Sequence, residues 1–209
     1  FIPELLSRHP GVKYGLEGAS QEQNEFLRDL GIAFIAALFL IYALIAIPLH
    51  SYSQPLIIMS VIPFGIVGAF LGHLIMDKPI SILSIVGIIA LSGVVVNDSL
   101  VLVDYINQCY RKGSTWRNAV MDAGVRRFRA VILTSVTTFV GLLPIQMETS
   151  IQSQFLKPMA ISVAFGVLFA TVVTLLLVPV LCFIVDDFRQ YIKHARKFCG
   201  FTVTESPLN

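Results

Sequence analysis

Charge is what this sequence has least of. Asp, Glu, Lys and Arg make up 13% of its 209 residues, against 56% hydrophobic residues and a mean hydropathy of +0.79. A water-soluble domain carries charge on about a quarter of its residues, so the scarcity excludes an ordinary soluble globule and places the chain in a bilayer. Cysteine is also rare: Cys109, Cys182 and Cys199 show neither Cys-x-x-Cys spacing nor a histidine at ligand distance. That excludes a zinc site and a disulfide framework and leaves three free thiols. The five methionines are scattered and form no ladder for a metal ion. No nucleophile paired with a base, no phosphate-cradling loop and no ligand cluster occurs. The chain therefore reads as a non-enzyme with no metal and no cofactor. It also begins without Met or a secretory signal, which suggests a processed or excerpted chain.

What the sequence does have is long apolar runs. A bilayer core needs about 20 apolar residues in a helix, and five stretches qualify: about 28–49, 56–76, 80–106, 130–148 and 158–186. This predicts an all-α membrane protein of five spans over 28–188, with a linker region at 1–27, a connector at 107–129 and a tail at 189–209. Turn or break signals separate the spans at His50–Pro55, Asp77-Lys78-Pro79, the 107–129 connector, and Glu148 to Pro158. The stretch 111–125, with Trp116 among basic residues, suggests an amphipathic helix lying at the headgroups.

The net charge of +2 becomes informative once it is placed on the spans. Arg111, Lys112, Arg117, Arg126, Arg127, Arg129, Arg189, Lys193, Arg196 and Lys197 all fall in the 107–129 connector or the tail. Because cytoplasmic loops collect Lys and Arg, the C-terminus is expected in the cytosol and the N-terminus outside. Topology thus accounts for the basic residues, and nucleic-acid binding has no support. Five spans with an external start suggest a missing earlier span, and 1–26 reads as the end of an extracytoplasmic domain plus a linker.

Helices in lipid associate through close backbone approach, marked by small residues spaced by four. The fifth span carries Ser162, Gly166, Ala170 and Thr174, and the second carries Gly68 and Gly72. In the fourth span Arg127, Thr134, Thr138, Gly141 and Glu148 fall near one face. Of its hydroxyls, Ser135 and Thr137 suit bonds to their own helix carbonyls, while Thr134 and Thr138 suit a polar interior. His73, beside Gly72, reads as a satisfied structural residue.

The third span holds the most unusual stretch, "GVVVNDSLVLVDY" from Gly93 to Tyr105. Charge near the centre of a membrane helix costs several kcal/mol, about 2.5 to 3.5 for Asp. Asp98 should therefore face the bundle interior, find a partner, or carry a proton. Asn97 and Asp104 share a face, and Asp98 lies about 100° round from Asn97. A carboxyl in such surroundings can load and unload a proton, the chemistry a proton-driven transporter needs. Asp104, near the span's end, reads as a headgroup-level residue. No Lys or Arg lies at the depth of Asp98 in the other spans.

Four stretches together resemble one family: "GASQEQNEFLRDLGIAFIAALFLIYALIAIPLHSYSQPLIIMSVIPFGIVGAFLGH", "LSIVGIIALSGVVVNDSLVLVDYIN", "AGVRRFRAVILTSVTTFVGLLPI" and "ISVAFGVLFATVVTLLLVPVL". Their order and spacing are similar to the C-terminal half of inner-membrane efflux pumps of the resistance, nodulation and division (RND) superfamily, most like the AcrB/AcrD/AcrF-like hydrophobe/amphiphile branch. The resemblance covers about Gly18 to Asp187. It implies a twelve-span protein, of which this chain would be spans eight to twelve, with a periplasmic N-terminus. It further implies proton antiport driving export of drugs, detergents and other amphiphiles by a homotrimer, with a periplasmic adaptor and an outer-membrane channel as partners. Two relay aspartates of such pumps, on an upstream span, engage a polar group on the tenth span and an Arg and a Thr around the eleventh. Asn97, Arg127 and Thr134 match those three positions, and Asp98 and Thr138 complete the candidate relay. Better-studied drug pumps carry Lys where Asn97 stands, so the ion pair expected of the family cannot form with this residue. The resemblance also implies that this stretch does not transport by itself. The competing readings are a non-transporting membrane scaffold or assembly subunit, and an RND-type pump for metal ions or lipids.

Overall fold

A computed structural model of the chain describes residues 19–198. Residues 1–18 of the expected 1–27 extracytoplasmic remnant and linker, and 199–209 of the expected tail with Cys199, lie outside the described residues. Six helices follow one another: α1 (Ala19–Leu49), α2 (Ser53–Met59), α3 (Ile62–Ile75), α4 (Ile82–Arg111), α5 (Trp116–Met147) and α6 (Ile151–Phe198). By length and apolarity they make five candidate membrane spans, with α2 and α3 sharing the second, Ser53–Ile75. The fold is all-α, and the described residues contain no strand.

Several boundaries differ from those the sequence suggests: α1 begins at Ala19, inside the expected linker, and α6 continues to Phe198, inside the expected tail. The stretch 111–125 is not a separate helix at the headgroups: from Trp116 it forms the first turns of α5 and runs unbroken into the fourth span. Only Lys112 to Thr115 separate α4 from α5. No Pro interrupts α5 before Pro144, and its only glycines are Gly124 and Gly141, so nothing forces a break where the basic residues end. Likewise α6 begins at Ile151 and passes through Pro158 and Pro179. Membrane helices tolerate such prolines because neighbouring hydroxyls and helices satisfy the freed backbone groups.

The helix ends explain the tight turns. Gly113 takes a left-handed φ of 93°, its N–H donates to the Tyr110 carbonyl and the Ser114 N–H donates to the Cys109 carbonyl, closing a Schellman motif at the end of α4. Asp77 plays the same part after α3, with φ 49° and the Lys78 N–H donating to the His73 carbonyl. Ser81 and Ser84 form a reciprocal capping box at the start of α4.

The described chain divides into two units, residues up to Ile41 and residues from Tyr42 on. The first holds most of α1, whose Ile32, Ile35, Phe39 and Leu40 are exposed. In the second, α6 is the central element on which α3, α4 and α5 all pack. Its buried seam runs through Ser162, Gly166, Ala170 and Thr174. A Cβ on Gly68 would lie 2.5 Å from Phe169 Cβ, and one on Gly87 would lie 2.8 Å from the Met159 carbonyl oxygen. Added atoms at Gly72 and Gly166 would collide with the side chains of Phe165 and Leu91. Here glycine is required because backbones approach so closely.

Candidate functional site: the polar face of α4 and α5

On α4 the buried positions Gly87, Leu91, Val95, Ser99, Leu102 and Ile106 turn one face inward. The opposite face shows Ala90, Gly93, Asn97, Val101, Asp104 and Gln108, all exposed and spaced by three or four. Asn97 stands near the middle of this 30-residue helix. Asp98 is half-buried on the flank between the two faces, and neither Asn97 nor Asp98 hydrogen-bonds to another described residue. Asp98 thus departs from the simplest expectation for an intramembrane carboxyl: it is neither deep in the interior of these spans nor paired within them. Asp104 is exposed and accepts a 2.7 Å hydrogen bond from Gln108 one turn on.

α5 approaches α4 from the other side of the four-residue turn. Arg127 is half-buried, its guanidinium carbon 4.8 Å from the centre of the Tyr105 ring and its Nε buried without a partner. The two helices run antiparallel through that contact, so equal rise along each sets Asp98 at the level of Thr134 and Asn97 at the level of Ser135. Thr134 is exposed and Thr138 half-buried, and both hydroxyls donate to carbonyls of their own helix, of Val131 and Thr134 respectively, at 2.8 Å. Each oxygen retains acceptor capacity. A Cβ on Gly93 or Gly141 would meet nothing within 4 Å.

The residues singled out in the sequence therefore divide into two groups. Asn97, Thr134 and Gly93 lie on outward surfaces of α4 and α5, with Asp98, Arg127 and Thr138 at their edges. Gly68, Gly72, Ser162, Gly166 and Ala170 lie in the buried seam on α6. The sequence reading missed three polar ties between helices. Ser135 Oγ lies 2.5 Å from Thr171 Oγ1. His73 has Nε2 3.0 Å from Ser162 Oγ and Nδ1 3.1 Å from the Lys78 carbonyl oxygen. Gln54 and Asn107 exchange two amide hydrogen bonds of 2.8 Å. For the last pair only the polarity of both residues beside apolar runs hints at a partner, since they stand 53 positions apart.

Comparison with known proteins supplies the family. The chain is 29% identical to the multidrug resistance protein MdtC of Proteus mirabilis (strain HI4320) over 180 residues, which is 86% of this chain and 18% of that protein. It is also 29% identical to the swarming motility protein SwrC of Bacillus subtilis (strain 168) over 184 residues, 87% of this chain and 18% of that one. Among solved structures, the crystal structure of a heavy metal efflux pump superposes with a TM-score of 0.73 at 25% identity, covering 89% of this chain and 19% of that one. The chain thus spans less than a fifth of the length of the relatives it matches. The sequence profile of the AcrB/AcrD/AcrF family matches residues 4–186, and the chain belongs to that family, forming part of the membrane portion of an RND-type transporter.

Proposed function

We propose that this chain is the coupling half of the membrane domain of a proton-driven exporter of amphiphilic compounds, working in a bacterial inner membrane with its N-terminal end periplasmic and its C-terminal end cytoplasmic. The observation that carries the reading is the exposure of Asn97 at mid-helix on a predominantly apolar span. A polar group in hydrocarbon is costly unless another polar element covers it, and the uncovered face also carries Thr134 and two glycines with no neighbour. In this reading the face packs against a further span bearing carboxylates that exchange protons. The Asn97 amide donates to a carboxylate, which an amide can do without supplying charge. Arg127 provides the positive charge from the end of the same face, and its unpaired Nε–H is a donor in waiting. Thr134 and Thr138 accept from a protonated carboxyl, and Asp98, at the same level, serves as an additional proton-carrying group.

The assembly that goes with this reading is a homotrimer with a periplasmic adaptor and an outer-membrane channel. The test is export of a fluorescent amphiphile by the intact protein in cells. Asn97→Leu and Thr134→Val should each abolish it with membrane levels unchanged, whereas Asn97→Gln should retain a measurable fraction. Full export in both apolar variants would favour the scaffold reading instead.

A second substrate class has support of its own, since the solved structure described above is that of a heavy metal efflux pump. Among the described residues no group of three or more His, Cys, Asp and Glu could hold a metal ion. Metal-salt and detergent sensitivity measured side by side in a deletion strain separates the two classes.

A further inference from the structure

Away from the polar face, a cavity opens at the end of the bundle where α4 turns into α5. The α1–α2 connector and α2 line it with Ser51, Ser53 and Gln54, α4 and α5 with Tyr110 and Trp116, and α6 with Asp186. Its volume, about 90 Å³, is several times the roughly 10–15 Å³ that a single water requires, so it takes a group larger than one solvent molecule. Ser51 Oγ is buried there with no hydrogen-bond partner. A buried hydroxyl left unsatisfied is unusual and calls for a ligand or ordered solvent.

The groups around that hydroxyl are committed to holding the cavity open. The Gln54–Asn107 amide pair ties α2 to α4. The Trp116 Nε1–H donates to the Cys182 carbonyl at 3.4 Å, and the Trp116 ring meets Tyr110 edge to face, centroids 5.5 Å apart. Three exposed cations, Arg111, Lys112 and Arg117, flank these two aromatics in sequence. The cavity therefore combines a carboxylate and two aromatic rings, which suit an ammonium, with an unpartnered hydroxyl able to donate to a phosphate; the cations adjoin the two aromatics in sequence and are not among its lining residues. Its position at the ends of four membrane helices puts it at headgroup depth, where Trp and Tyr concentrate.

We propose that this cavity receives the headgroup of a phospholipid that carries a primary ammonium. The ammonium lies against Tyr110 and Trp116 and donates to Asp186, and the phosphate accepts from Ser51. A quaternary ammonium has no N–H to donate, so the carboxylate selects against choline. The site is independent of the coupling face and of what the protein exports.

Native mass spectrometry of the intact protein in nanodiscs of equimolar phosphatidylethanolamine, phosphatidylcholine and phosphatidylglycerol tests the assignment. The wild type should retain phosphatidylethanolamine over each of the other two by about tenfold, Asp186→Asn should erase the preference over phosphatidylcholine, and Ser51→Ala should weaken retention by a few-fold. Because either variant could disturb the helix ends, a second measurement uses the wild type alone. A phosphatidylethanolamine probe with a photoreactive headgroup should crosslink to the Tyr110–Trp116 segment, and phosphoethanolamine in excess should suppress the product. Equal retention of the three lipids, retention unchanged in both variants, or crosslinks confined to other segments would each overturn the proposal.

Discussion

Two surfaces of this bundle are written in the same small-residue alphabet and used in opposite ways. Along α6, Gly166 and its neighbours let α3 and α4 come so close that a single added methyl at Gly68, Gly87 or Gly166 has nowhere to go. Across the outward side of α4 and α5, Gly93 and Gly141 touch nothing that a methyl would disturb. In the seam small residues minimise volume between backbones, and the interaction is complete within the described helices. On the outward face they accompany Thr134 and Asn97, an amide that hydrocarbon cannot satisfy. A glycine is thus diagnostic only together with what faces it: the seam packs helix on helix, and the open face is the one that the proposed coupling role would have a further span cover.

The sharpest way to break this contrast is to enlarge glycines on both sides. Gly87→Val drives side-chain atoms at the fixed Met159 backbone and should cost about 3 kcal/mol or prevent folding altogether, the upper end of overpacking penalties. Thermal or denaturant unfolding in detergent measures it. Gly68→Ala, crowding Phe169 Cβ and the Phe165 carbonyl, should cost about 2 kcal/mol in the same assay. Removing the hydroxyls of Ser135 and Thr171 together and singly should give a coupling of about 0.6 kcal/mol, the usual size of such a bond between membrane helices. A coupling near zero would mean that packing alone holds α5 to α6. Gly93→Ala should be the mildest, within about 0.5 kcal/mol of wild type in stability, and yet reduce export by the intact protein. A large loss of stability at Gly93 would erase the distinction between the two surfaces, and unimpaired export with bulkier residues there would show that no partner closes on this face.

Hydropathy made the spans legible because lipid imposes one requirement, a long apolar helix, on every crossing. The spacing of Ser162, Gly166 and Ala170 exposed the seam for the same kind of reason: a four-residue repeat falls on one helix face whatever lies opposite. Helix ends were less legible. Basic residues at 111–129 marked a connector, yet charge says nothing about whether a helix stops, and α5 starts at Trp116 and continues. Pro158 read as a break for a similar reason, although it sits eight residues into α6. The hydroxyls of α5 show a further limit. Thr134 and Ser135 are adjacent and equally polar, but the 100° between them sends one outward and the other to Thr171. Periodicity gives that angle; only the placement of α6 decides which of the two points inward.

The Gly113 turn has a mechanical consequence. Four residues, both Schellman hydrogen bonds, the Tyr110–Trp116 contact below and the Arg127–Tyr105 stack above leave α4 and α5 little freedom to slide past one another. They form a stiff two-pronged lever rather than two independent rods. Displacing α4 at the level of Asn97 would therefore carry strain through these ties toward the end of α5 where Trp116 meets α6.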